Sequence, residues 1–324
     1  MKQLLSLLFS TLMMVTASAY PITPRPLRKL VAESEYIIWG KVLKVGQVKQ
    51  EKKADHFASD YALIQITETL QGHIKSDTIR VFFSSGMTCP APGVFFEGEK
   101  ALAFLDKKKG SKDYFVHALS YGVKHLAAHE DYLIYKDRIT EMQAILLQQE
   151  QKICNETVLE WLVKCAEKPA TRWEGTYELS PGSDFMSYYD RDAPATLAGI
   201  LPAANRKRLF DALLQIDQLN YADMGLADIA RDVDDTRLLE FLKSKLQSFN
   251  KERRLWEAAA IMQRIVVLTR DAELETMLEK LETIYFEDAE NHKKESQYLL
   301  NQFILKMKAA PLKKSLLAAG ENNA

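Results

Sequence analysis

Hydrophobic and polar positions alternate singly through the first part of the chain and recur in threes and fours through the second. The clearest alternation runs from Tyr61 to Phe83, where Ile64 and Ile66, then Ile79, Val81 and Phe83, are set apart by Gln65, Thr67, Thr78, Arg80 and Phe82. That period of two predicts a pair of half-buried strands, with Gln71 to Asp77 as the connection. Before it, Leu27, Leu30 and Val31 predict a short helix ending near Glu33, and Tyr36 to Val45 a strand with a bulge or bend at Gly40. Gln47 to Ser59 is polar and reads as a loop, and Ser84 to Gly98 is too rich in Gly and Pro for a regular element. Further short strands are predicted over Ala101 to Leu105, Tyr114 to Leu119 and Tyr132 to Tyr135. Strands so short and so evenly punctuated point to a closed or nearly closed antiparallel barrel, because closure removes exposed edges.

Beyond Tyr135 the period becomes helical. Met142, Ile145 and Leu146 give one apolar face, and Val158, Leu159, Leu162, Val163 and Ala166 another that stops before Pro169. Ala170 to Pro202 reads as an irregular, aromatic-rich loop. Five further helices are marked by Leu209 to Leu214, Leu238 to Leu246, Leu255 to Val266, Leu274 to Tyr285 and Leu299 to Met307, with Asn250 and Asp271 placed as N-caps. The expected fold class is α+β. An N-terminal OB-like barrel domain over 20–140 is followed by a connector over 141–202 and an all-α domain over 203–324, as a bundle or a short HEAT-like stack.

The barrel segment carries a resemblance. The short helix, then Ala-Glu-Ser-Glu-Tyr-Ile-Ile-Trp-Gly-Lys-Val (Ala32 to Val42), Ile-Gln-Ile-Thr-Glu-Thr-Leu-Gln-Gly (Ile64 to Gly72), a loop with Cys89, and Phe-Glu-Gly-Glu-Lys-Ala-Leu-Ala-Phe-Leu (Phe96 to Leu105) resemble the netrin-like, OB-fold domain. That domain occurs in tissue inhibitors of metalloproteinases and in exported bacterial proteins. The resemblance covers Pro24 to Lys136 and implies a barrel fold. The inhibitors chelate the protease zinc through an N-terminal Cys, whereas no Cys occurs here before Cys89. An atypical inhibitor without the chelator is therefore only an alternative reading.

Composition adds an address. Lys2, an apolar run from Leu4 to Val15 and the small residues Ala17-Ser18-Ala19 form the pattern of a secretory signal peptide over 1–19, with Tyr20 expected as the mature N-terminus. The run is too short to span a bilayer. The expectation is an exported protein, periplasmic or secreted, with no membrane span. A formal net charge of −1 supplies no field toward nucleic acid, and a hydrophobic content of 47% argues for packed cores. Three cysteines in an oxidising setting leave one over. If Thr157 to Lys168 is helical, Cys154 and Cys165 stand about 16 Å apart, beyond disulfide reach. The bridge then runs from Cys89 to Cys154 or Cys165, the alternative being three buried thiols.

No motif specifies a reaction, a cofactor or a metal. His125 and His129 share one face if helical, with His117 upstream and Glu130 after, but Leu126 stands where a zincin needs Glu. Gly93 to Lys100 echoes a phosphate loop, yet Glu99 precedes the Lys and Ala101 replaces the magnesium-holding hydroxyl. Glu174, Glu178, Asp184, Asp190 and Asp192 offer carboxylates for a hydrolase near aromatic residues. The expected function is therefore non-enzymatic binding of a protein of the envelope or exterior, with a hydrolase using those carboxylates or a metal at His117, His125 and His129 as the alternative class. The expected contacts are the loops that hold Lys49, Lys52, Lys53, His56 and Phe57, and Met87 and Phe95.

Overall fold

The structure is a computed structural model that describes residues 23–48, 58–87, 91–107, 110–148, 155–180, 197–231, 233, 235–249, 255–288 and 293–308. Helix α1 (Leu27–Glu33) leads into six strands, β1 (Tyr36–Gln47), β2 (Asp60–Gln71), β3 (Thr78–Phe83), β4 (Lys100–Lys107), β5 (Tyr114–Val116) and β6 (Val123–His125). They are ordered β1-β2-β3-β5-β4-β6, and a further β1–β4 pairing closes the first five into a barrel. One strand serves two ladders because β1 is bent by register shifts at Ile37/Ile38, Trp39/Gly40 and Val42/Lys44. Gly40 permits the bend: a Cβ there would lie 2.6 Å from the Gln65 carbonyl oxygen.

Alternation sorts the side chains into two layers. Ile38, Val42, Ile64, Val81, Ala103 and Leu105 fill the barrel. Ile37, Trp39, Leu102 and Phe104, of opposite parity, are also buried. Helix α2 (His129–Leu147) accounts for part of that outer layer, since its Tyr132 ring stacks on Trp39 at 4.4 Å and 9°. It also packs on α1 and β2.

Three expectations are corrected. Tyr132–Tyr135 is the first part of α2 and not a strand: Tyr132, Tyr135, Ile139, Met142 and Ile145 recur at helical spacing and bury one face. The aromatic and β-branched content of Tyr-Leu-Ile-Tyr masked this. The last strand is instead β6, whose three residues pair with Ala101–Ala103 and are too few to show a period. The barrel is also not wholly antiparallel, because β3 and β5 run parallel through Val81↔Tyr114 and Phe82↔Phe115. β5 stops at Val116, shortly before Ala118 and Leu119 take positive φ of 55° and 53°.

In the second part the described residues form helices joined by turns, with no strand among them: α3 (Asn155–Glu167), α4 (Arg172–Leu179), α5 (Ala203–Leu214), α6 (Met224–Ala230), α7 (Arg237–Gln247), α8 (Leu255–Thr269), α9 (Ala272–Asp288) and α10 (Lys293–Met307). α10 packs on α9, α8 and α7, so the last four helices close on themselves. The Asp271 carboxylate accepts from the backbone N–H of Glu273 and Leu274 at the start of α9, the expected cap. Asn250 lies outside the described residues. α4 replaces the irregular loop expected from Ala170. It escaped notice because Arg172 and Glu174 to Leu179 are all buried, so no one-sided period exists. Contacts divide the chain into two compact units, 1–153 with 186–192, and 154–185 with 193–324. No helix among the described residues is long and apolar enough to cross a membrane.

Candidate functional site

The base of the first expected loop and the end of the second meet on the barrel. β1 and β2 run together past the barrel core, and the Val48 N–H donates to the Ser59 carbonyl at 2.9 Å. Lys49, Lys52, Lys53, His56 and Phe57 follow this pair and lie outside the described residues. From the second loop, a turn closes between Phe96 and Glu99, with Gly98 at φ +89°. Val42 ties this turn to β1: its N–H donates to the Glu99 carbonyl and its own carbonyl accepts from the Gly98 N–H, both at 2.8 Å. Three residues on, the Val45 N–H donates to the Glu97 carboxylate at 3.3 Å.

Two large apolar side chains stand exposed on these joined elements, Leu43 at 44% and Phe96 at 51%. Leu43 is turned out by the bulge, for Val42 pairs with Ile64 and Lys44 with Leu63, leaving it without an opposite residue. Phe96 rests against the His125 ring at 5.1 Å. Phe95, named as a contact from the sequence, is corrected: it is 4% exposed and packs on Phe83 inside the barrel. Consecutive residues of an extended segment face opposite sides, and the sequence does not say which of two adjacent phenylalanines is outside. Met87 is half-buried.

Beside this lies the outer face of β2, β3 and β5. One register row crosses it through Gly46, Tyr61, Phe82 and Phe115. The Tyr61 ring covers Gly46, where a Cβ would lie 2.7 Å from ring atoms, and Phe82 stacks on Phe115 at 5.5 Å. Arg80 lies over the Phe82 ring at 5.0 Å and pairs with Asp113 at 2.7 Å.

The three histidines are not gathered into a metal site. His117 Nδ1 meets the Asp106 carboxylate at 2.8 Å and its Nε2 faces Glu33 at 3.5 Å. The Asp106 hydrogen bond raises its pKa above the ordinary 6.5, against the opposing effect of burial, and Glu33 adds to the rise. His125 is at the end of β6, with Nε2 3.1 Å from the Val94 carbonyl and Nδ1 3.5 Å from Glu99. His129 begins α2 and tilts against Tyr132. No group of three potential metal ligands occurs among the described residues.

The carboxylates of the expected hydrolase loop are likewise placed. Glu174 and Glu178 are buried on α4, at 2% and 4% exposure, and Asp184, Asp190 and Asp192 lie outside the described residues. Arg172 in the same helix donates to the Asp223 carboxylate at 2.5 Å and to the carbonyls of Ala166 and Glu167. Those contacts hold α3, α4 and α6 together. Of the cysteines, Cys165 is buried in α3, while Cys89 and Cys154 lie outside the described residues.

Leu43 and Phe96 are the residues that sequence reading missed. The signal for Leu43 was a run of apolar residues, Val42-Leu43, that breaks the alternation of β1. Neither a family model nor a characterised protein nor a solved structure matches this chain at a significant level.

Proposed function

We propose that this chain is an exported, non-enzymatic binding protein that holds another protein of the envelope or exterior through its barrel. The observation that carries the reading is the joining of the base of one loop to the end of the other, with Leu43 and Phe96 exposed on backbone that is locked by the Val42 hydrogen bonds. Large apolar side chains on rigid, otherwise polar surface are the composition of a protein contact. The likeness to the netrin-like domain supports the barrel as the recognising part.

Charged clusters elsewhere support the same reading by what they do. Asp106 with His117, Glu68 with Lys136, Arg172 with Asp223, and Arg208 with Glu160 and Glu167 each join separate elements. The test compares capture from envelope extracts by the wild-type protein, by Leu43→Asp/Phe96→Asp, and by a chain shortened across Gln47 to Ser59. The same partner should be retained by the first and lost by the other two, with their circular dichroism unchanged. Equal capture by all three, or turnover of a peptide or glycan by the purified protein, would sink the proposal. Export itself predicts a mature protein whose intact mass begins at Tyr20.

A further inference from the structure

We infer that the free edge of β1, from Leu43 to Gln47, accepts an extended peptide of the partner as an added strand, with apolar and acidic side chains in alternation. This rests on the binding reading above and specifies its mode. β4 accompanies β1 only to the pair Lys41↔Lys100, and Glu99 and Gly98 extend the pairing by one residue, at Val42. Beyond that, β2 lies on one side, opposite Lys44 to Gln47, and among the described residues no strand lies on the other.

The ladder fixes which groups face outward. The Val48 N–H turns toward β2, to Ser59, and the Val45 N–H turns away from it, to Glu97. Alternation in an antiparallel pair then sets both backbone groups of Val45 and of Gln47 on the open side, about 7 Å apart. An extended backbone supplies donors and acceptors at that repeat, and a helix, whose own groups are internally paired, does not. At Val45 the Glu97 carboxylate occupies the place of a strand carbonyl. It guards the edge with charge, and an entering peptide replaces it.

Side chains define the peptide further. Lys44 is exposed on this stretch, as Lys41 is just before it, and no ion pair engages either among the described residues. Acidic residues on the matching, outer face of the added strand satisfy them. The alternate positions lie beside Val45, half-buried against the barrel core, which asks for apolar partners.

The probe is a capped peptide of about six residues alternating valine and glutamate, compared with the same peptide N-methylated at every second amide. Gln47→Pro removes the outward N–H while leaving the β2 ladder intact, as proline is tolerated on an edge. Binding by fluorescence anisotropy should weaken about tenfold or more on N-methylation, on Gln47→Pro and on Lys44→Glu, the scale of one or two strand hydrogen bonds or a lost charge contact. The Gln47 amide should exchange more slowly with the peptide present. No binding, or binding indifferent to N-methylation and to Gln47→Pro, overturns the inference. So does a Gln47 amide already as protected in the free protein as that of Gly46, which would mean that the chain covers its own edge. If extract capture is lost in Leu43→Asp/Phe96→Asp but kept in Gln47→Pro, the added strand is wrong and the surface stands. If neither variant changes capture, both fail.

Discussion

At Gly175 the absence of a side chain decides how closely two helices approach. A Cβ there would sit 2.3 Å from the Leu162 carbonyl oxygen and 2.6 Å from the Ala166 nitrogen, both backbone atoms that have no rotamer to change. Alanine would gain about 1 kcal/mol in helix propensity, but forcing α4 off α3 costs about 1–3 kcal/mol. Gly175→Ala should therefore lower stability in denaturant melts, and a rise would show that the helices separate freely. His117 carries a pH effect. Because its folded pKa is raised above 6.5 by Asp106 and Glu33, its contribution is complete below the unfolded value and is lost as pH rises through the folded one. Thermal stability should fall as pH rises above about 6.5, and His117→Gln should remove that part of the slope. Parallel profiles for the two proteins would refute it. Neither feature was legible in sequence: both depend on what lies across the fold, Leu162 for one and Asp106 for the other.

At the scale of elements, the docking of α2 on the barrel is the most sharply defined contact. Tyr132 stacks on Trp39 and donates its hydroxyl to Glu68 at 2.5 Å, while Lys136 meets the other Glu68 oxygen at 2.6 Å. Lys136 and then Tyr132 hold the Glu68 carboxyl below its usual range, and burial followed by Glu68 pushes the Tyr132 phenol up. Tyr132→Phe keeps the ring stack and should cost about 0.5–1.5 kcal/mol, whereas Trp39→Ala empties the contact and should cost about 3–5 kcal/mol. Equal losses from the two would mean that the hydroxyl, not the ring, holds the helix. Elements with one apolar face were legible: α1, β1 to β4, and α7 to α10 match their periods in existence and in type. Those that failed share a cause. α4 and α6 are buried nearly all round and β6 has three residues, so each lacks the contrast between two faces on which a period depends.

For the whole molecule, each unit has its own buried residues: Ile38, Ile64 and Leu105 in one, Leu162, Phe210, Ile265 and Phe303 in the other. A fragment ending after Gln148 should fold by itself and melt cooperatively, and the full chain should show two calorimetric transitions. A fragment that stays unfolded would show that the barrel unit depends on the rest of the chain. The division into a strand part and a helix part was legible as the change of period near Tyr135, though placed a few residues late, because α2 begins at His129 with aromatic residues that favour strands.

The parallel seam between β3 and β5 has a consequence for the order in which the fold assembles. β1, β2 and β3 pair with their neighbours in sequence, but the ring stays open until Val81 and Phe82 receive Tyr114 and Phe115. In a chain that emerges N-terminus first, four strands therefore wait, β4 joined to β1 among them, with Ile64, Val81 and Phe83 not yet enclosed, until Val116 arrives. Non-local closure is slow and leaves apolar strands vulnerable to association with other chains. The Phe82 and Phe115 stack that shuts the seam is thus also the event that ends the vulnerable interval, and bulk removed there should show first as aggregation during synthesis and only later as loss of stability.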